Sequence, residues 1–489
     1  MKTKVNRVKH YWPYIVVVVL LIGYWFLPIE GAVILYGGDT QQEIWPRFNL
    51  QSQSSISGNT AEIIVNDVEP WSYVELLVNN KRAEPMGSPV RNGNIWTWRW
   101  SYKVPEEESY HVAFYINCHL GCEERGSITV GQPSGNATKQ LIPTKLGVVL
   151  PNPDRDWHGR SGWAVEITYA TMAEEPYWGV DDLALRISHH REMGLRVLVR
   201  VDYDQVQSIP PTDDNVALAE YLAYFNRLAE DDRLMSVYGY IVGNDYNTLD
   251  AVGLSPGQPV TPEWYARIFS GYGENPEHTD NVIQTVRNVN QYVRLITGPI
   301  RPWSTDADGH IKHATNMPWL NYMTTLTAYL HETYEKKSEI GVPFCIPDGF
   351  DIQAPGLPDA EEMAGYGRWE EPAVEHRRES WNGARVGFQV YKDWLDIINA
   401  YPSTRGLPVY IVSTNTYDRA NSIPPAQNYP QGWLTTALET VMKEPQIHAL
   451  CWFLDDFPHS DQWDWFSLTQ QSGRLVDAAE EFDALLQLP

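Results

Sequence analysis

Carboxylate and amide side chains recur just after short apolar runs in the C-terminal two thirds of this chain. Arg200-Val201-Asp202-Tyr203-Asp204 closes one such run, and Asn244-Asp245 follows another. Asp348-Gly349-Phe350-Asp351-Ile352-Gln353 and Asp455-Asp456 come after two more. Two carboxyl groups on either side of one bond can share acid/base work, one protonating a leaving oxygen while the other activates water about 6.5–9.5 Å away. Asp245 with Asp455 is the preferred pair for such an inverting displacement. The competing expectation is plainer: an aspartate after a strand more often pairs with an arginine (Arg200 and Arg301 are at hand), caps a helix or faces water. Other chemistries lack their residues. The thirteen histidines include one adjacent pair, His189-His190, whose members point to different faces of a helix, and no His-Glu-x-x-His spacing occurs. Ser413 lacks the Gly-x-Ser-x-Gly elbow of a hydrolase nucleophile. The pattern implies neither metal nor other cofactor.

These side chains need a scaffold that brings many strand ends together. From about Thr144 the sequence alternates apolar runs with amphipathic stretches of three-to-four spacing. The predicted strands are Lys145–Leu150, Ala164–Thr168, Arg196–Val201, Val237–Val242, Arg294–Thr297, Phe344–Pro347, Val409–Val412 and His448–Phe453. Helices are expected between them at Asp181–Met193, Asp214–Ala229, Pro262–Tyr272, Trp319–Tyr334, Val386–Ala400 and Gly432–Lys443, with Arg474–Leu486 closing the chain. Eight strand–helix units make a (β/α)₈ TIM barrel over 144–489, with reactive groups at the C-terminal strand ends. The first turn, Gly147-Val148-Val149-Leu150-Pro151, lacks the glycine pattern of a doubly wound nucleotide-binding sheet.

Three segments then carry a resemblance: Gly243-Asn244-Asp245 followed by Val260-Thr261-Pro262-Glu263-Trp264-Tyr265-Ala266; Leu407-Pro408-Val409-Tyr410-Ile411-Val412-Ser413-Thr414-Asn415-Thr416; and Ala449-Leu450-Cys451-Trp452-Phe453. In order and placement they resemble the clan of (β/α)₈ glycoside hydrolases whose acid/base follows strand four and whose nucleophile follows strand seven. The resemblance implies that Asn244 holds a sugar hydroxyl, that Asp245 stands at the acid/base position and that Trp452 is a stacking platform. Trp303, after strand five, is a second candidate ring. Ser413 stands where the clan has its nucleophilic glutamate, and Gln353-Ala354-Pro355 where it often has His-x-Tyr. Serine without an activating base supplies neither the attack nor the negative charge of a retaining mechanism. Three readings stay open: a hydrolase with an unorthodox second carboxylate, a carbohydrate-binding barrel that no longer cleaves, and a surface scaffold for a protein partner.

The N-terminal third reads differently. Lys2, Lys4, Arg7 and Lys9 precede an almost wholly apolar run, Tyr11 to Leu27, flanked by aromatics. That order predicts a membrane anchor and tail over 1–30, with the rest of the chain on the extracytoplasmic side. Residues 33–132 carry short alternating runs separated by turn signals, which predicts an immunoglobulin-like β-sandwich. Residues 133–143 read as a polar linker containing the sequon Asn136-Ala137-Thr138. Cys118 and Cys122 are expected to form a disulfide, and Cys345 and Cys451 to be buried bystanders. Net charge is −25, so nucleic acid is excluded as a partner. Trp 20 and Tyr 28 supply rings of the kind that carbohydrate sites use.

Overall fold

The computed structural model describes residues 47–487, apart from 56–57, 68, 94, 106–108, 119–121, 135–136, 249–259, 274, 276, 278, 304–317, 343–344, 357–370, 419–420 and 458. The anchor predicted over 1–30 lies outside the described residues. Among the described residues, no helix is long and apolar enough to cross a membrane.

Eight parallel strands close into a barrel: β1 Ile142–Val149, β2 Arg160–Tyr169, β3 Arg196–Asp202, β4 Gly239–Val242, β5 Arg294–Thr297, β6 Gly349–Asp351, β7 Val409–Thr414 and β8 Ile447–Trp452. Strand β8 pairs back onto β1 through Leu450 opposite Leu146, which closes the ring. The helices are α1 Val180–Glu192, α2 Asn215–Glu230, α3 Pro262–Ser270, α4 Val282–Arg287, α5 Pro318–Glu339, α6 Tyr391–Ile398, α7 Pro425–Asn428, α8 Trp433–Met442 and α9 Leu475–Gln487. Strand geometry sends alternate side chains to opposite faces, and the two apolar clusters record this. Val197, Val199 and Val201 of β3, with Leu450 and Trp452 of β8, pack among helix residues. Leu198, Ile241, Ile296, Tyr410 and Cys451 instead fill the lumen with Trp163. The sixth strand is Gly349–Asp351 and not the more apolar Phe344–Pro347, so Asp351 belongs to the strand itself.

The N-terminal strands form an all-β unit, but not two separate sheets. Ten strands form one antiparallel sheet, nine on a continuous hydrogen-bonded path and the tenth, Val90–Asn92, paired beside it onto Ile95–Lys103, with Trp98 and Trp100 packed 5.6 and 5.7 Å from Phe114 in a shared core. The stretch read as a linker is built into this sheet: Ala137–Gln140 pairs with Glu123–Ser134, and β1 of the barrel begins at Ile142. Cys118 and Cys122 are disulfide-bonded, whereas Cys345 and Cys451 are free and buried.

The sheet sits against the barrel's N-terminal end. Asn80 donates to the carbonyl of Val237 at 3.2 Å, and His111 lies edge-on to Tyr238 at 5.5 Å. Tyr292 bonds Arg82 and Glu75.

Candidate active site

At the C-terminal end of the lumen, charged side chains replace apolar ones. Because Val197, Val199 and Val201 face the helices, Leu198, Arg200 and Asp202 face inward. The same alternation turns Asp351 inward between Phe350 and Ile352. Arg200 and Asp202 form an ion pair at 3.0 Å, with both side chains buried. Burial pushes the Asp202 carboxyl up to about 7; Arg200 opposes the shift and Asp245 adds to it. Burial likewise lifts Asp351 well above the usual carboxylate range, again with Asp245 adding. Asp245 thus raises both Asp202 and Asp351, while the Arg200 guanidinium opposes each shift. Burial first, and the like charge after it, favour the protonated form of Asp202 and Asp351.

Asp245 reaches this cluster through an unusual turn. Gly243 has φ +75°, and a Cβ there would meet Ile209 at 2.5 Å. Asp245 itself has φ +51°, a left-handed conformation that costs a non-glycine residue energy and collects at functional sites. Its N–H donates to the Pro299 carbonyl at 3.0 Å, while the next residue, Tyr246, stacks on Tyr265 at 4.0 Å and donates to the Gly298 carbonyl. The Gln353 amide donates to the Asp245 carboxylate. Asn244, beside it, is 9% exposed.

The rest of the mouth comes from β7 and β8. Ser413 is half-buried near the end of β7, where the register shifts between Ile411 and Thr414. The Phe453 N–H donates to the Thr414 carbonyl at 3.0 Å, and the Asn415 amide donates to the Phe453 carbonyl at 2.7 Å. Half-buried Phe453 packs on the lumen side, against Trp463 and Phe466.

The other candidates go elsewhere. Trp452 has the opposite parity from Phe453: it is fully buried in the helix layer beside Tyr429 and Trp433, and its indole donates to the Phe466 carbonyl at 3.1 Å. Trp303 is 1% exposed, and its indole donates to the Arg385 carbonyl at 3.0 Å. Neither ring offers a face to a ligand in this conformation. Asp455 is fully buried, and its carboxylate accepts from Arg155 Nε at 2.9 Å and from the Asn152 N–H at 2.8 Å. With Arg155 also paired to Asp483 on α9, this knot ties the β8 end to the β1 loop and the last helix. A carboxylate so occupied is not poised to activate water. The sequence pattern offers Asp202 and Asp351 as strand-end carboxylates but favours Asp455 beside Asp245, and it does not single out Phe453. Strict alternation from Leu450 would have flagged Phe453.

The chain matches no family model and no curated protein. Its structural neighbours are glycoside hydrolases. A family 39 enzyme from Bacteroides cellulosilyticus WH2 is 13% identical, with a TM-score of 0.42 covering 85% of this chain and 81% of that one. A GH5_18 structure from Bifidobacterium longum subsp. infantis is 12% identical, with a TM-score of 0.42 covering 71% and 79%. The catalytic domain of alkaline cellulase K is 11% identical, with a TM-score of 0.37 covering 70% and 80%. Overlaps this loose say nothing of the site, and it is the chain's own strand pairing that makes it a closed parallel (β/α)₈ barrel, the scaffold implied by the strand-end motifs.

Proposed function

We propose that the C-terminal mouth of the barrel binds carbohydrate and that the chain does not hydrolyse it by a retaining mechanism. The observation that carries this reading is the set of half-exposed groups at the mouth: the Gln353 amide, the Ser413 hydroxyl and the Phe453 ring. The Gln353 amide also holds Asp245, and all three groups follow or end strands at the same C-terminal end of the barrel. An amide, a hydroxyl and a flat apolar ring suit a sugar, which offers hydroxyls that both donate and accept and an apolar face that stacks. Ser413 leaves no carboxylate where a retaining enzyme needs its nucleophile.

The test is a panel of polysaccharides and aryl glycosides, with binding and turnover measured on the same samples. Binding without turnover, weakened about two- to tenfold by Phe453→Ala, is the expected result, since loss of a stacked ring costs about 0.5–1.5 kcal/mol. A second reading has one observation in its favour: Asp351, raised chiefly by burial and further by the nearby Asp245, holds a proton beside a second carboxyl, as the acid of an acid and base pair would. Turnover abolished by both Asp245→Asn and Asp351→Asn would replace the binding reading with that one.

We also propose that residues 1–30 anchor the chain with its barrel on the extracytoplasmic side. The basic-then-apolar N-terminus supports this, and so does the Cys118–Cys122 disulfide, since such bonds persist outside the reducing cytosol. Release of the intact chain from membranes by salt alone would refute the anchor.

A further inference from the structure

The antiparallel sheet keeps one face turned away from the barrel. Phe114 packs inward on Trp98 and Trp100, while its neighbours Ala113 and Tyr115 turn the other way, Tyr115 lying 6.0 Å from Tyr292 of the barrel. The tryptophan core therefore separates the barrel from the outer face of Ile95–Lys103. Ile95 and Thr97 have the opposite parity to Trp98 and Trp100 and belong to that outer face. Val90 pairs with Thr97, and directly opposed residues share a face, so Val90 joins them. Val90 is 61% exposed and Ile95 44%. Met86, whose N–H donates to the Arg99 carbonyl at 2.8 Å, completes an apolar corner at 49%. Arg91 Nε donates to the Gly93 carbonyl at 3.0 Å and its guanidinium lies over Trp96, which braces the hairpin from behind.

Two observations say what covers this corner. The first is where the chain enters the sheet. Arg47, Asn66, Thr97 and Val90 form one cross-strand row, so Arg47 stands three strand spacings, about 14 Å, from Val90. The apolar run Tyr11 to Leu27 lies upstream of Arg47, and residues 28–46 between them span about 65 Å at full extension. The corner is thus well within reach of a membrane that holds the run. The second observation is charge. From Met86 to Thr97 the chain has one cation, Arg91, and no acid, although its net charge is −25. Exposed Arg47 ends the row, and Glu62 on the same face is paired with Arg99 at 2.8 Å. Lipid phosphates therefore meet no uncompensated like charge at this corner. We propose that Met86, Val90 and Ile95 rest on the lipid surface of the membrane that holds the anchor, with the barrel mouth turned away from it. This rests on the reading of residues 1–30 as an anchor. Three side chains are too few to keep a free chain on lipid, but a tethered chain meets the surface as an intramolecular contact.

The test uses the full chain in vesicles of phosphatidylcholine and phosphatidylglycerol, with a bimane label on Val90→Cys, Ile95→Cys or Val216→Cys. Val216 is the reference, 71% exposed at the start of α2, at the mouth end of the barrel. The native cysteines do not compete for label, being disulfide-bonded or buried. Bromine on the lipid acyl chains should quench the labels at 90 and 95 by at least half and leave the label at 216 unchanged. Met86→Asp, at an exposed position that spares folding, should at least halve the quenching at 90. Retention of the chain through an alkaline wash reads the anchor separately. Unquenched labels at 90 and 95 on retained chain would overturn the proposal and leave the anchor standing. A chain that washes off, and whose labels were unquenched beforehand, would lose both readings. Self-quenching between labelled copies, without bromine, would give the corner to a second copy of the chain and overturn the proposal too.

Discussion

A buried aspartate that holds a proton near neutrality leaves a mark on stability as well as on chemistry. Asp202 titrates at about 7 in the fold, against about 3.9 in an unfolded chain. Between those values the folded state keeps a proton that the unfolded state has released. The stabilisation is therefore complete below pH ~4 and is lost as pH rises through about 7, a loss of about 4 kcal/mol. Asp202→Asn has no proton to lose. Its unfolding free energy relative to the unaltered chain should climb across that window and then level off. Urea denaturation at a series of pH values checks this, and a difference that stays flat would remove Asp202 as a proton-holding group. Trp452 makes a contrasting case. Its ring is fully enclosed between β8 and the helices, so Trp452→Ala should cost about 3–5 kcal/mol of stability. Glycan affinity per folded molecule should not change, and a selective loss of affinity would restore Trp452 to the mouth.

At the scale of elements, the helix layer is pinned by charged groups whose roles lie far apart in sequence. Glu481 of α9 accepts from the Gly432 N–H at 2.8 Å, the Tyr429 hydroxyl at 2.7 Å and the Thr435 N–H, and so caps the N-terminus of α8. Gly432, with φ +90°, has no side chain to do this. Glu481→Ala should lower stability by about 1–3 kcal/mol, because it strands donors at a helix start. Glu481→Gln should recover part of the loss, and a thermal unfolding series on the two variants separates them. A contact of this kind is invisible to pattern reading, which sees only local periodicity. Where local signal is strong the sequence suffices: Arg294–Thr297 is found to the residue, and seven of the eight barrel strands overlap their expected ranges. It failed where a short strand competed with a more apolar neighbour, as Gly349–Asp351 did with Phe344–Pro347. It also failed at α4, six residues long and too short to show a period. The site was half legible. Asp245 and Ser413 stand out by position, but a one-residue difference in parity puts Trp452 in the helix layer and turns Phe453 to the lumen side. Nothing local could show that Arg155 claims Asp455.

The whole molecule joins an antiparallel sheet to the closed end of a barrel, and the joint is built from buried cations around a neutral histidine. His111 faces Arg191, Arg196 and Arg294 and lies edge-on to Tyr238, with neither ring nitrogen partnered among the described residues. Burial first, and then the three arginines, push its imidazole well below the ordinary range. His448 in the same region is pushed down to about 3, again chiefly by burial. A histidine depressed in this way contributes stability that is present above pH ~6.5 and is lost as pH falls, because the unfolded chain takes up a proton that the fold refuses. The carboxyl cluster at the other end of the barrel has the opposite slope, so the pH profile of the unaltered chain mixes both. Comparison with His111→Phe isolates the joint, since phenylalanine keeps the edge-on ring contact and cannot be protonated. The variant's thermal midpoint should gain on that of the unaltered chain progressively as pH falls from 6.5 to 4.5, and the two should run parallel above 7. A constant offset across the range would mean that His111 is held there by packing alone and that the sheet's attachment to the barrel is indifferent to acid.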